Sequence, residues 1–127
     1  PLEAGQGVLL AGDLEEEGGY RAAAEAFRRY PDTTAIFAAN DQTAFGARLY
    51  LYEQGLRVPE DVSLVGFDDI ALSAYQIPPL TTVRQPIQDI GIALGRALRA
   101  VLAGEVPTLP RLELRLVERA SVREVRA

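Results

Sequence analysis

Short apolar runs and longer amphipathic segments alternate along this chain. Apolar residues that recur at i, i+3, i+4 and i+7 predict helices, whereas short apolar runs bounded by turn residues predict buried strands. In chain order the patterns predict strand 8–11, helix 16–30, strand 35–39, helix 42–54, strand 62–67, a helical piece at 70–75, strand 80–83, helix 86–103 and strand 112–117. This alternation predicts a single α/β domain over residues 1–127, a three-layer parallel sheet flanked by helices with right-handed crossovers.

The apolar faces of the helices indicate what each helix contacts. The core face of helix 16–30 is predicted to consist of Tyr20, Ala23, Ala24 and Phe27, which follow the helical spacing. Helix 42–54 is apolar almost all round, whereas a helix with one buried face is polar on the other. We therefore expect helix 42–54 to contact a second partner surface.

Composition narrows the class of protein. The chain has 127 residues, of which 48% are hydrophobic, and no apolar run is long enough to span a membrane. Its first residues show neither a basic start nor an apolar signal segment. The net charge is −5, and arginines are scattered among acidic residues, so we do not expect this segment itself to grip DNA.

The residue types that are missing remove several kinds of chemistry. The sequence contains no Cys and no His, and all 13 basic residues are Arg. Thiolate and imidazole nucleophiles, bases and metal ligands are therefore excluded, as are a Schiff-base Lys and a Walker-type Lys. Carboxylates, hydroxyls and amides remain, which favours a binding module. We predict no catalytic residue, no metal site and no cofactor.

Polar residues follow two of the predicted strands. Asn40-Asp41 comes after strand 35–39, and Asp68-Asp69 comes after strand 62–67. Ligands bind outside the carboxyl ends of parallel strands, so this pattern indicates a binding site at that edge of the sheet. The alternative for Asn40 is a role as the N-cap of helix 42–54.

Three segments in register resemble one family of proteins. TAIFAAND at 34–41, GLRVPEDVSLVGFDD at 55–69 and PPLTTVRQP at 78–86 are similar to the lactose-repressor (LacI/GalR) family of transcription regulators. Gly12-Asp13-Leu14 and LVERASV at 116–122 agree with it. The resemblance implies the C-terminal lobe of a type I periplasmic-binding-protein-like core, incomplete here. It also implies that helix 86–104 belongs to the other lobe.

The resemblance implies a function that composition does not reveal. Such regulators are cytoplasmic homodimers in which a small effector, a sugar or a nucleobase-like molecule, binds between two lobes and alters DNA binding. DNA is held by an N-terminal helix-turn-helix that this chain lacks. The expected activity is therefore effector binding and dimerisation. The alternatives are the lobe of a periplasmic-type sugar-binding protein and a carboxylate-dependent hydrolase in which Asp13 and Asp68 approach each other.

The resemblance also assigns roles to individual residues. The ligand-binding candidates are Asp13, Leu14, Asn40, Phe67, Asp68 and Gln85. Phe67 either lines the cleft or packs in the core, and Leu14 stands where the family often has a stacking aromatic. If Asn40 contacts the ligand, Asp41 is the expected helix cap, and Asp69 is expected to be a turn or capping residue. The candidate interface residues between subunits are Phe45, Tyr52, Leu72 and Tyr75.

Overall fold

The computed structural model describes residues 7–124. The helices are α1 (Glu16–Arg29), α2 (Asp41–Glu53) and α3 (Ile87–Leu102), and the strands are β1 (Ala35–Phe37), β2 (Ser63–Asp68), β3 (Thr81–Arg84) and β4 (Arg115–Val117). A short 3₁₀ segment, Ala71–Tyr75, lies between β2 and β3. The predicted alternation of strands and helices is confirmed, with shorter elements than expected at β1 and β4.

The sheet is mixed, although we expected it to be parallel. Its strand order is β1-β2-β3-β4, and the first three strands are parallel, with Phe37 paired to Val65 and Val65 to Thr81. β4 runs antiparallel to β3. The α/β prediction is therefore confirmed and the all-parallel sheet is wrong, since the chain returns to β3 through an extended segment that reverses its direction.

Glycines let α1 and α2 approach closely. A Cβ atom built on Gly46 of α2 would lie 1.7 Å from the carbonyl oxygen of Glu16, and one built on Gly19 of α1 would lie 2.1 Å from that of Thr43. These distances are far below van der Waals contact, so both positions need glycine. Tyr20, which was predicted for the core face of α1, packs beside the contact with its ring edge to face with that of Tyr50 on α2 at 5.5 Å.

The core beneath α2 is small and rich in alanine. Its buried members are Ala23, Ala38, Ala44, Ala47, Leu64 and Leu80. Leu64 and Gly66 are buried on β2 whereas the alternating positions Ser63, Val65 and Phe67 are only half-buried, as expected for a strand that faces a helix on one side. This arrangement places the carboxyl end of β2 directly beside the start of α2.

Ser121 fastens the C-terminal segment to the sheet. Its hydroxyl donates to the carbonyl oxygen of Leu64 at 2.6 Å and accepts from the backbone N–H of Thr81 at 2.8 Å. The backbone N–H of Leu64 in turn donates to the Ser121 carbonyl oxygen at 2.8 Å. Ser121 is fully buried and therefore anchors the end of the chain that follows β4.

Two further expectations are corrected. Residues 8–11 form no strand, and Leu9 is 96% exposed, because among residues 7–124 the run has no neighbouring strand to share backbone hydrogen bonds. Helix α3 buries none of its residues, so it neither folds onto the sheet nor completes a third layer among residues 7–124. Within that range no helix has the length and apolar character needed to cross a bilayer.

The substitution Gly46→Ala tests the helix contact. It is expected to destabilise the fold by about 1–3 kcal/mol, because the new methyl group would overlap the Glu16 carbonyl and force the helices apart. Gly91→Ala is the matched control, since a Cβ at Gly91 of α3 meets nothing within 4 Å. Urea denaturation followed by circular dichroism measures both, and equal midpoints for the two variants would contradict the close contact.

Candidate functional site

Three ligand-binding candidates lie at one edge of the sheet. Asn40 follows β1, Asp68 ends β2, and Gln85 follows β3. The three strands are parallel and adjacent, with Asp68 paired to Arg84, so their carboxyl ends share an edge. The predicted placement of Asn40 and Asp68 at the same edge is confirmed.

Asn40 is the N-cap of α2. Its Oδ1 accepts from the backbone N–H of Thr43 at 2.8 Å, and its Nδ2 donates to the carbonyl oxygen of Leu14 at 2.8 Å. The capping alternative is therefore confirmed for Asn40. The bond to Leu14 also holds the loop that contains Asp13 against the start of α2.

Asp41 is not the cap that we expected if Asn40 contacts a ligand. Its carboxylate is buried, with the residue only 1% exposed, and it points beneath the sheet edge. Oδ1 accepts from the hydroxyl of Thr82 at 2.5 Å. Oδ2 accepts from the hydroxyl of Ser73 at 2.6 Å and from the backbone N–H of Ile70 at 2.9 Å. The start of α2 is thereby bonded to β3 and to the 3₁₀ segment.

Gly66 makes room for this carboxylate. A Cβ on Gly66 would lie 2.2 Å from Oδ1 of Asp41 and 2.9 Å from Leu80. Any side chain on that position of β2 would therefore expel the carboxylate from the core. The buried carboxylate of Asp41 therefore requires glycine at position 66.

Asp68 and Gln85 are bonded to each other. Gln85 Nε2 donates to Asp68 Oδ1 at 2.5 Å. Asp68 has φ = 108° and Asp69 has φ = 55°, and L-residues rarely adopt positive φ. Such strain persists where surrounding contacts impose it, and it clusters at functional sites. Phe67 is half-buried, which leaves its two alternatives open.

Asp69 is the centre of an ion-pair cluster. Its carboxylate contacts Arg84 Nε and Arg119 Nη2, each at 2.5 Å, and only 5% of its side chain is exposed. Burial opposes ionisation of Asp69, but hydrogen bonds from Arg119 and Arg84 outweigh burial, so its pKa lies below the ordinary value. We expected only a turn or a cap at this position. Asp69 instead fastens the 68–70 turn to β3 and to the C-terminal segment.

Asp13 and Leu14 form the loop before α1. Asp13 accepts from the backbone N–H of Glu15 at 3.1 Å and forms an ion pair with Arg21 at 2.8 Å. Leu14 is 55% exposed and has φ = 67°. Asp13 and Asp68 are thus engaged in separate hydrogen-bonded pairs, which lends no support to a catalytic carboxylate pair. Within residues 7–124, no group of three or more acidic residues is arranged to hold a metal ion.

Two surface cavities lie away from the strand ends at Asn40 and Asp68. One, of about 540 Å³, is lined by residues 9–13 and by α1, including Asp13 and Arg21. The other, of about 440 Å³, lies between Arg84, the start of α3 and residues 111–115. Neither is lined by Asn40 or Asp68, so the concavity that we expected these two residues to share is not one of them.

Three of the four interface candidates are exposed. Tyr52 and Tyr75 are each 80% exposed, and Leu72 is 53% exposed. Phe45 is instead partly buried against the core.

Arg48 Nη1 donates to the carbonyl oxygen of Ile77, which holds the chain after the 3₁₀ segment beside α2. Burial lowers the pKa of Arg48.

The sequence did not reveal the polar partners beneath the site. Ser73, Thr82 and Arg119 were not predicted, and Asp41 was given a local role. The only sequence signal for Asp41, Thr82 and Arg119 is that they fall inside the quoted segments. Ser73 falls in none of these segments, and its role is seen only in the folded chain.

Comparison with known proteins identifies the class. Residues 5–122 match the family model described as periplasmic binding protein-like domain. The chain therefore belongs to the periplasmic-binding-protein-like domain family.

Individual relatives support the resemblance to LacI-type regulators. The HTH-type transcriptional repressor PurR of Escherichia coli O1:K1 / APEC is 40% identical over 116 residues, which are 90% of this chain and 34% of the relative. A structure of the transcriptional regulator CelR-cellobiose complex superposes with a TM-score of 0.79 at 39% identity, covering 87% of this chain and 34% of that one. The Lac repressor dimer bound to operator and the anti-inducer ONPF gives a TM-score of 0.78 at 34% identity, covering 87% and 39%. The chain thus spans about a third of the curated relatives' length.

The Asp69 cluster predicts how stability depends on pH. Asp69→Asn is expected to lower the free energy of unfolding at pH 7. Because the folded-state pKa is depressed below 3.8, the carboxylate's contribution is complete well above that pH and is lost as the pH falls through the folded-state value. The difference in the free energy of unfolding between Asp69→Asn and the unchanged chain should therefore shrink as the pH falls.

Urea denaturation at a series of pH values measures this difference. Asp32→Asn controls for the loss of one negative charge, since Asp32 lies in the exposed turn after α1. A difference that stays constant from neutral to acid pH would contradict the assignment of Asp69 as the ionised centre of the cluster.

Proposed function

We propose that this chain is the effector-binding and dimerisation part of a LacI-type transcription regulator. The observation that carries the proposal is the gathering of Asn40, Asp68 and Gln85 at one edge of the sheet. The relatives named above support it, as one is a repressor, one is in complex with cellobiose and one is a dimer on operator DNA. The effector is a sugar or another small polar metabolite.

The chemistry of this edge suits a molecule with several hydroxyl groups. Asp68 accepts one hydrogen bond from Gln85 on Oδ1, and within residues 7–124 its Oδ2 accepts none. An ionised carboxylate oxygen accepts strong hydrogen bonds, and a glutamine amide offers both donors and an acceptor. Asn40 already accepts from Thr43 and donates to Leu14, so one N–H and one oxygen lone pair are left for neutral hydrogen bonds to a ligand, which are weaker than those to a carboxylate. Asp68 is therefore the principal contact.

The remaining functions follow from the same assignment. DNA binding belongs to a helix-turn-helix in another part of the regulator, which acts in the cytoplasm, and the chain itself is no enzyme. Its net charge of −5 supports a segment that does not hold DNA alone. A periplasmic-type sugar-binding lobe shares the fold, but the named relatives are regulators.

The dimer surface proposed here consists of Tyr52 on α2 and Leu72 and Tyr75 on the 3₁₀ segment. All three side chains are more than half exposed. Leu49, one helical turn before Tyr52, is 53% exposed and extends the apolar area. Several large apolar side chains exposed on neighbouring parts of the chain are typical of protein–protein contacts. Phe45 takes part less directly, because it also packs against the core.

The effector proposal is tested by NMR titration of the ¹⁵N-labelled chain with a panel of mono- and disaccharides and purine bases. We expect weak binding, since a single lobe leaves polar ligand groups unmatched. Shifts should concentrate at Asn40, Asp68 and Gln85. Asp68→Asn should weaken binding about tenfold or more, because it removes a hydrogen bond to a charged group.

Glu60→Gln is the control, as Glu60 is an exposed residue in the turn before β2. Saturable shifts confined to the cavity lined by Arg84, Arg111 and Arg115 would contradict the proposed site. No binding to any member of the panel, in this chain or in a longer protein that contains it, would overturn the effector class.

The dimer proposal is tested by light scattering at micromolar concentration. The unchanged chain should show about twice the monomer mass of 13.8 kDa. Tyr52→Arg and Tyr75→Arg should each give the monomer mass, because a charge would be desolvated without a partner. Leu98→Arg on α3 should leave the dimer intact. A monomeric unchanged chain, or dissociation by Leu98→Arg alone, would reject this surface.

A further inference from the structure

The buried carboxylate of Asp41 holds the turn at residues 68–70, which contains the proposed effector contact Asp68. Asp41 Oδ2 accepts from the backbone N–H of Ile70 at 2.9 Å and from the Ser73 hydroxyl at 2.6 Å. Ile70 directly follows Asp68 and Asp69, and Ser73 lies in the middle of the 3₁₀ segment. The same oxygen thus contacts the end of the turn and the segment that follows it.

The turn needs such support. Asp68 has φ = 108°, which L-residues hold only when neighbouring contacts impose it, and Asp69 has φ = 55°, in the left-handed region that Asp tolerates better than most residues. Arg84 and Arg119 restrain Asp69 through ion pairs. Asp41 restrains the next residue, Ile70, through a hydrogen bond from its backbone N–H. Between these restraints, the Asp68 carboxylate is held against Gln85.

The partners of Asp41 select a carboxylate and not an amide. In this arrangement Thr82, Ser73 and Ile70 all donate to it. An ionised carboxylate only accepts hydrogen bonds, so it matches three donors. An asparagine would bring two N–H groups of its own into this fully buried space. The chemistry is therefore specific to this side chain and exceeds what helix capping requires.

We propose that Asp41 is a positioning residue for the effector site, which holds the 68–70 turn in place and joins it to the 3₁₀ segment. The inference rests on the proposed function, because that function gives Asp68 its role. The inference adds a route by which the effector site is coupled to the proposed dimer surface. A ligand that moves Asp68 also moves Ile70, and through Asp41 it moves Ser73 and the exposed side chains of Leu72 and Tyr75. The effector edge and the proposed dimer surface are therefore linked without a direct contact.

Hydrogen exchange in the 127-residue chain tests the positioning role. In Asp41→Asn, the ratio of the Ile70 amide exchange rate to that of Ala38 should rise about tenfold or more, since Ile70 loses its charged acceptor. Ala38 is the internal reference, because its N–H donates to Val65 in the sheet at 2.8 Å. A purely global loss of stability would raise both rates together and leave the ratio unchanged, and that result would overturn the proposal.

A second pair of variants keeps the proposal testable if Asp41→Asn does not fold. Ser73→Ala and Ser121→Ala each remove a fully buried hydroxyl from the core, but only Ser73 contacts Asp41. Ser73→Ala should shift the NMR resonances of Asp68 and Gln85, whereas Ser121→Ala, which acts at the amino ends of β2 and β3, should leave these two unchanged at similar loss of stability. Equal shifts in the two variants would reject the coupling.

These measurements need no effector, so they fail independently of the proposed function. Shifted Asp68 resonances in a chain that binds no sugar or purine would uphold the positioning role and overturn the effector class. Saturable sugar binding at Asp68, with an unperturbed turn in Asp41→Asn, would uphold the function and overturn the positioning role.

Discussion

A carboxylate buried without a cation is the constraint around which this fold is arranged. Burying an ionised group is costly unless hydrogen bonds replace its hydration. Asp41 meets this condition only because Thr82, Ser73 and Ile70 converge on it from β3 and the 3₁₀ segment. Gly66 must also leave space on β2. Four separate parts of the chain are thereby fixed relative to one another at the edge where the site lies.

Buried side chains that hydrogen-bond to several elements contribute much to stability here because the apolar core is small. The buried cluster holds four alanines and two leucines, which bury less apolar area than larger side chains would. Ser121 joins the amino ends of β2 and β3. Asp41 bonds Thr82 within β3 and Ile70 just after β2, and Asp69 holds the carboxyl end of β3 through Arg84. Close helix contact at the glycines adds dispersion in place of large side chains. The sheet is therefore held at both ends by hydrogen bonds and in the middle by packing.

Sequence reasoning recovered the elements that local pattern determines and missed those set by distant partners. Periodicity located α1, α2, β2 and β3, because each has its apolar face or its capping residue within its own segment. The run at 8–11 has the composition of a strand but no adjacent strand to pair with. For Asn40 and Asp41, local rules allow either residue to cap α2, and the choice depends on donors that are 29 to 41 residues away in sequence.

Helix α3 is a case in which the local pattern was read correctly but the distant partner is missing among residues 7–124. Its apolar stripe was read correctly as a helix, yet none of its residues is buried among residues 7–124. Its backbone groups are paired within the helix, but apolar side chains such as Leu94 and Leu98, each about 60% exposed, gain little from folding there. A helix of this length is only marginally stable in water without packing. An amphipathic pattern therefore shows that a helix is built to contact an apolar surface, while only the folded structure shows whether that surface belongs to the same part of the chain. For α2 the surface is β2 and α1, whereas none of residues 7–124 buries the apolar stripe of α3.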